Sequence, residues 1–140
     1  EDFGERMVRF NSNGVKAVDF LQKHSAVEKV FHGSLTYQER ASPEWLMGYG
    51  SVISFTLISG NLESLRLFYD QLPAPLLKAP TLGSNQTLVC PYALLAHYHE
   101  PPSFFDHHRI PRHLVRLAVG CEKDLDPVFA ALDQGLNQIL

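Results

Sequence analysis

The sequence predicts a two-layer α+β domain, a small, mostly antiparallel sheet with amphipathic helices on one face. Three stretches carry that prediction. Ile53, Phe55 and Leu57 alternate with Ser54 and Thr56, the period-two pattern of a half-buried strand. Leu114, Val115, Leu117, Ala118 and Val119 form a second apolar run, interrupted by Arg116. Leu125, Val128, Phe129, Leu132, Leu136 and Ile139 fall on one stripe of a 3.6-residue period. A helix with one apolar stripe needs a surface to cover, and a sheet with one apolar face provides it.

The remaining elements follow in chain order. Residues 13–24 place Val15, Val18 and Leu21 at helical spacing, with Asn13 as the expected N-cap. Ala26–Phe31 reads as a short strand closed by His32-Gly33, and residues 33–45 as polar and irregular, with a turn at Ser42-Pro43. Gly48-Tyr49-Gly50 leads tightly into the Ile53 strand. Gly60-Asn61 opens a helix bearing Leu62, Leu65, Phe68 and Leu72, which Pro73 and Pro75 end. Two short extended pieces are expected within 76–92 around a turn at TLGSNQT. Residues 93–99 are ambiguous by pattern, and paired prolines start a short helix at PPSFFDHH. The final helix begins at Asp124 or Asp126 as N-cap, with Pro127 inside its first turn.

Composition narrows the function classes. A chain of 140 residues suits one domain, and 45% hydrophobic with 19% charged residues marks a globular protein. A net charge of −3 offers no basic field for nucleic acid or an anionic membrane surface. No apolar run reaches the roughly 18 residues of a membrane span, and no secretory signal opens the chain. The two cysteines, Cys90 and Cys121, lack a CxxC spacing and read as buried free thiols of a reducing compartment. Glu1 in place of an initiator methionine suggests a piece of something longer.

Few residues point to chemistry by themselves. In a strand, Leu114, Arg116 and Ala118 share one face and Val115, Leu117 and Val119 the other, so Arg116 is expected to look away from the core. Local pattern alone favours a solvent arginine whose stem covers apolar surface. A guanidinium clamp on a carboxylate or phosphate is the alternative. His97, His99, His107 and His108 cluster, but without strand alternation that would aim them at one metal, so no metal site is expected. Thr81-Leu82-Gly83-Ser84-Asn85 lacks the residues of a phosphate loop and reads as an ordinary turn.

Four ordered blocks add a second line of inference. NGVKAVDFLQKHSAVEKVFHGSL, GYGSVISFTLISGNLESLRLFYDQL, TLGSNQTL and HLVRLAVGCEKDLDPVFAALDQGL cover almost the whole chain. Together they resemble the C-terminal part of the Cys/Met-metabolism family of pyridoxal-phosphate enzymes, fold type I. That family includes cystathionine γ-synthases, γ-lyases and β-lyases and methionine γ-lyases. HLVRLAVGCE is the most specific block and TLGSNQTL the loosest.

The resemblance implies that residues 1–140 are a single C-terminal domain of a larger cytoplasmic enzyme of sulfur amino-acid metabolism. That enzyme would catalyse β- or γ-elimination or replacement and assemble as a homo-oligomer. Arg116 is similar to the family arginine that binds the substrate α-carboxylate. Thr81 stands where the family has a site serine, and His97 at a family histidine. Gln86 and Ser84 replace the usual glutamate and glycine, and Ala96 the usual threonine. The family's Schiff-base lysine, pyridine aspartate and phosphate cradle belong to a large domain absent from this chain. Accordingly no catalytic, cofactor-binding or metal-ligating residue is expected here, and pyridoxal phosphate is expected only in the full-length enzyme. The substrate would be a sulfur amino acid or a homoserine ester. A stand-alone, non-catalytic binding module keeping this fold is the alternative.

Overall fold

The computed structural model describes residues 2–38 and 41–140. Eleven elements follow in order among them: α1 (Phe3–Lys23), β1 (Val27–Phe31), α2 (Gly33–Thr36), β2 (Val52–Leu57), α3 (Leu62–Asp70), β3 (Leu77–Lys78), β4 (Leu88–Cys90), α4 (Tyr92–Ala96), α5 (Pro102–His108), β5 (Val115–Ala118) and α6 (Asp126–Asn137). The five strands form one sheet in the order β1-β2-β5-β4-β3. Pairing is antiparallel for β1–β2, β2–β5 and β4–β5 and parallel only for β3–β4, so the sheet is mixed but mostly antiparallel.

Strand parity decides the layers. Ile53, Phe55 and Leu57 of β2, Val115 and Leu117 of β5, Val89 of β4 and Val119 just beyond β5 are almost fully buried on one face. Ala17, Val18 and Leu21 of α1, Leu65 and Phe68 of α3, and Val128, Leu132 and Leu136 of α6 join them in one cluster. Burying a Val, Leu, Ile or Phe side chain contributes about 1.5–3 kcal/mol, so this cluster is the main source of stability. Phe55 meets Phe68 edge-on at 6.0 Å, tying β2 to α3.

Three local expectations change. The first helix does not start at Asn13. It runs from Phe3, with Asp2 as N-cap accepting from the Glu5 amide at 2.8 Å. Asn13 is 3% exposed in mid-helix, and its Nδ2 donates to the carbonyls of Gly120 and Glu122, each at 3.0 Å. Gly14 follows because a Cβ there would fall onto the Gly50 carbonyl oxygen. What reads locally as a cap is therefore part of a tertiary crossing. Residues 33–45 contain a one-turn helix, α2, capped by the His32 side chain; Glu39 and Arg40 of that stretch, like Glu1, lie outside the described residues. At α6 the cap position is Leu125, while the Asp124 carboxylate accepts from the Asp126 amide at 2.9 Å. Asn61 caps α3 as its sequence suggests, accepting from the Ser64 amide at 2.8 Å.

Candidate functional site

The second face of the sheet carries a row of directly paired residues: Phe31 of β1, Ser54 of β2, Arg116 of β5 and Cys90 of β4. Residues opposite one another in antiparallel strands share a face. Arg116 thus stands on the central strand and looks away from the helical core, as its parity predicts. Toward one edge the face is open, with Phe31 40% and Val52 45% exposed. Toward the other it is enclosed, since Leu88, Cys90 and Ala118 are buried.

A loop and a short helix produce that enclosure. Residues 80–87 run over the exit of β5 and are pinned there from both sides. The Cys121 amide donates to the Asn85 carbonyl at 2.8 Å, and the Gly120 amide to Thr87 Oγ1 at 3.1 Å. The Thr87 amide in turn donates to the Glu122 carboxylate. Arg6 of α1 reaches the Gly83 carbonyl at 2.7 Å. Gly83 itself takes φ +75°, a left-handed turn that glycine adopts without steric cost. Gly120 has no room for a side chain, because a Cβ would strike the Asn85 carbonyl.

The pinned loop aims two backbone carbonyls at Arg116. Nη2 donates to the carbonyl oxygens of Pro80 and, at 3.3 Å, Thr81. Its guanidinium carbon also stands 5.2 Å from the centroid of the Tyr92 ring. Nε is enclosed and has no hydrogen-bond partner, and no carboxylate pairs with Arg116 among the described residues. An enclosed donor without an acceptor costs on the order of 1–3 kcal/mol. Cys90 does not supply the missing negative charge. Burial pushes its thiol above the ordinary value, only partly opposed by the Arg116 charge, so it is a neutral thiol at pH 7. The result is a half-buried cation with its charge uncompensated, in a setting suited to an incoming carboxylate.

Thr81, which stands where the family has a site serine, meets Arg116 through its carbonyl oxygen; among the described residues its hydroxyl makes no hydrogen bond. His97 lies beyond Tyr92, edge-on to that ring at 6.1 Å and tilted against Phe104 at 4.9 Å. His99 packs on Tyr98, and His107 and His108 on each other, with His108 against Phe104. No group of three His, Cys, Asp or Glu among the described residues is placed to hold a metal ion. Cys90 and Cys121 are both buried and free. The contacts missed from sequence are those of Tyr92, Cys90, Asn13 and Glu122. Only Tyr92 leaves a trace there, as an aromatic residue directly after the Cys90-Pro91 end of a strand.

Comparisons with known proteins agree over nearly the full length. A family model described as Cys/Met metabolism PLP-dependent enzyme matches residues 2–137. The chain is 34% identical over 143 residues to a cystathionine gamma-synthase-like protein of Aspergillus thermomutatus, covering 99% of this chain and 24% of that one. It is 35% identical to the cystathionine gamma-synthase of Saccharomyces cerevisiae, over 86% of this chain and 20% of that protein. An L-methionine gamma-lyase of Fusobacterium nucleatum is 32% identical, with 98% and 34% covered. Among solved structures, cystathionine gamma-lyase from Lactobacillus plantarum complexed with L-serine superposes with a TM-score of 0.81 at 27% identity, over 97% of this chain and 35% of that one. The chain therefore spans about a fifth to a third of the length of these relatives.

Proposed function

This chain belongs to the Cys/Met metabolism family of PLP-dependent enzymes, and from that premise we propose that it forms the C-terminal, substrate-carboxylate-binding domain of a trans-sulfuration enzyme. The observation that carries the reading is Arg116: a half-buried guanidinium on the outer sheet face with no acidic partner among the described residues. Such a cation can fix the α-carboxylate of an amino acid and so orient its Cα substituents. The backbone around Thr81 and Pro80 completes the wall on one side of that subsite.

The cofactor of the family, when bound, supplies an electron sink for carbanion chemistry at Cα. The residues present here do not fit its attachment. All five lysines, Lys16, Lys23, Lys29, Lys78 and Lys123, are exposed, and a Schiff-base lysine has to be desolvated or paired with another cation to be a free amine near neutral pH. Lys23 instead pairs with Asp19 at 2.7 Å, and Lys78 donates to the Asp70 carbonyl at 3.1 Å. The cofactor and the proton-transfer groups would therefore stand on residues outside these 140, and the chain by itself would bind without turnover. Its substrate would be a sulfur amino acid or a homoserine ester, in a cytoplasmic homo-oligomer. No helix among the described residues is long and apolar enough to cross a membrane.

The test is Arg116→Ala in the full natural enzyme. Loss of charge-assisted hydrogen bonds to the carboxylate raises KM roughly tenfold to a hundredfold. Arg116→Lys recovers only part, because an ammonium keeps the charge but not the planar fork. Unchanged KM in the folded alanine variant removes Arg116 from the substrate site.

A further inference from the structure

An arginine that is to meet a planar carboxylate with two parallel bonds needs its guanidinium plane fixed as well as its position. The two carbonyls of the 80–81 segment meet only one corner, Nη2. Both bonds act at that one corner, so a contact against the face of the guanidinium adds a restraint that they do not supply. A further contact is Tyr92, whose ring centroid lies 5.2 Å from the guanidinium carbon. A cation over an aromatic face is held by the ring quadrupole, which restrains the guanidinium against leaving the ring.

Tyr92 is itself well placed to act as a support. It is the first residue of α4, two residues beyond Cys90, which is the β4 partner of Arg116. Its ring edge meets His97, at the other end of that helix, at 6.1 Å and 86°. His97 is tilted on Phe104 at 4.9 Å and edge-on to Phe105 at 6.2 Å, and Phe105 is 4% exposed. A chain of rings thus runs from a buried anchor in α5 to the underside of Arg116.

We infer that Tyr92 is a positioning residue which, through its ring and not its hydroxyl, sets the guanidinium plane of Arg116 toward the α-carboxylate of an amino-acid substrate. The inference rests on the carboxylate role proposed for Arg116, but its geometric part stands without that role. In the 140-residue chain, ring current shifts the Arg116 Hδ and Hε resonances upfield of free arginine; Tyr92→Leu returns them toward the free position, whereas Tyr92→Phe leaves them in place. In the full natural enzyme with cystathionine as probe, Y92L raises KM about fivefold with kcat within about twofold, and Y92F matches the parent.

Arg116 resonances at the free-arginine position in the unmutated chain overturn the inference, whether or not any variant folds. So does a folded Y92L with unmoved resonances, or a Y92F as impaired as Y92L. If R116A leaves KM unchanged, the carboxylate reading of Arg116 fails instead, and the resonances alone decide whether Tyr92 holds the side chain. If R116A is impaired while Y92L keeps the parent KM, the carboxylate reading stands and the role of Tyr92 falls.

Discussion

The two faces of the sheet are made from the same strands and obey different rules. On the inner face, Phe55, Ile53, Leu117 and Val115 are fully buried by helices of this chain. On the outer face, Phe31 and Val52 remain exposed, and Arg116 is held by two backbone carbonyls and a ring. The inner face is redundant: many apolar side chains share one cluster, and each is worth a similar amount. The outer face is not, since the aim of Arg116, its central cation, depends on a few specific contacts. Stability and recognition therefore alternate residue by residue along β5, and a substitution at 116 or 117 should damage one and spare the other.

The sharpest test of that contrast is Leu117→Ala, which leaves a cavity at the centre of the cluster and costs about 2–5 kcal/mol in urea unfolding of the 140-residue chain. Arg116→Ala in the same assay stays within about 1 kcal/mol of the parent. Comparable losses for the two would erase the distinction between the faces. Next comes Gly14→Ala, whose Cβ would strike the Gly50 backbone. Overpacking of that kind costs about 1–3 kcal/mol, and a neutral result would show that α1 can slide away from the 48–51 segment. Asn61→Ala removes the α3 cap and lowers stability by about 1 kcal/mol, measurable as a shift in the urea midpoint without a change in slope.

The smallest expected effect is on pH dependence. Burial holds the His32 imidazole below its ordinary 6.5, opposed by the hydrogen bond to the Gly50 carbonyl. A depressed folded-state value means that the unfolded chain binds the proton more readily. The stabilising contribution is thus present above about pH 6.5 and is lost as pH falls through the lower folded value. His32→Asn should flatten that part of the stability–pH curve, and an unchanged slope would place the acid sensitivity elsewhere.

What could be read from the sequence follows the same division. Period-two alternation reports the inner face directly, which is why β2, β5 and the side taken by Arg116 are legible. Asn61 and the α6 stripe are legible for the same reason, as signals confined to a few neighbouring residues. Asn13 misleads because it is a good cap residue by type, while its actual partners, the carbonyls of Gly120 and Glu122, are more than a hundred residues away. Thr81 could be matched by resemblance, but its contact with Arg116 uses a backbone carbonyl, which every residue possesses. Tyr92 lies beside a stretch of ambiguous pattern, so its place beside Arg116 emerges only once β4 and β5 are paired.

The central position of β5 also separates two timescales in one side chain. Its backbone is hydrogen-bonded to β2 on one edge and β4 on the other, so its amides should exchange with solvent only on global opening. The groups that steer the guanidinium, the 80–81 segment and the five-residue α4, sit at the periphery, where local opening is far cheaper. The root of Arg116 should persist as long as the domain stays folded, while its tip can be redirected by local opening, on the order of microseconds to seconds. An inherited change in the loop or in α4 could then re-aim the cation without touching the frame that carries it.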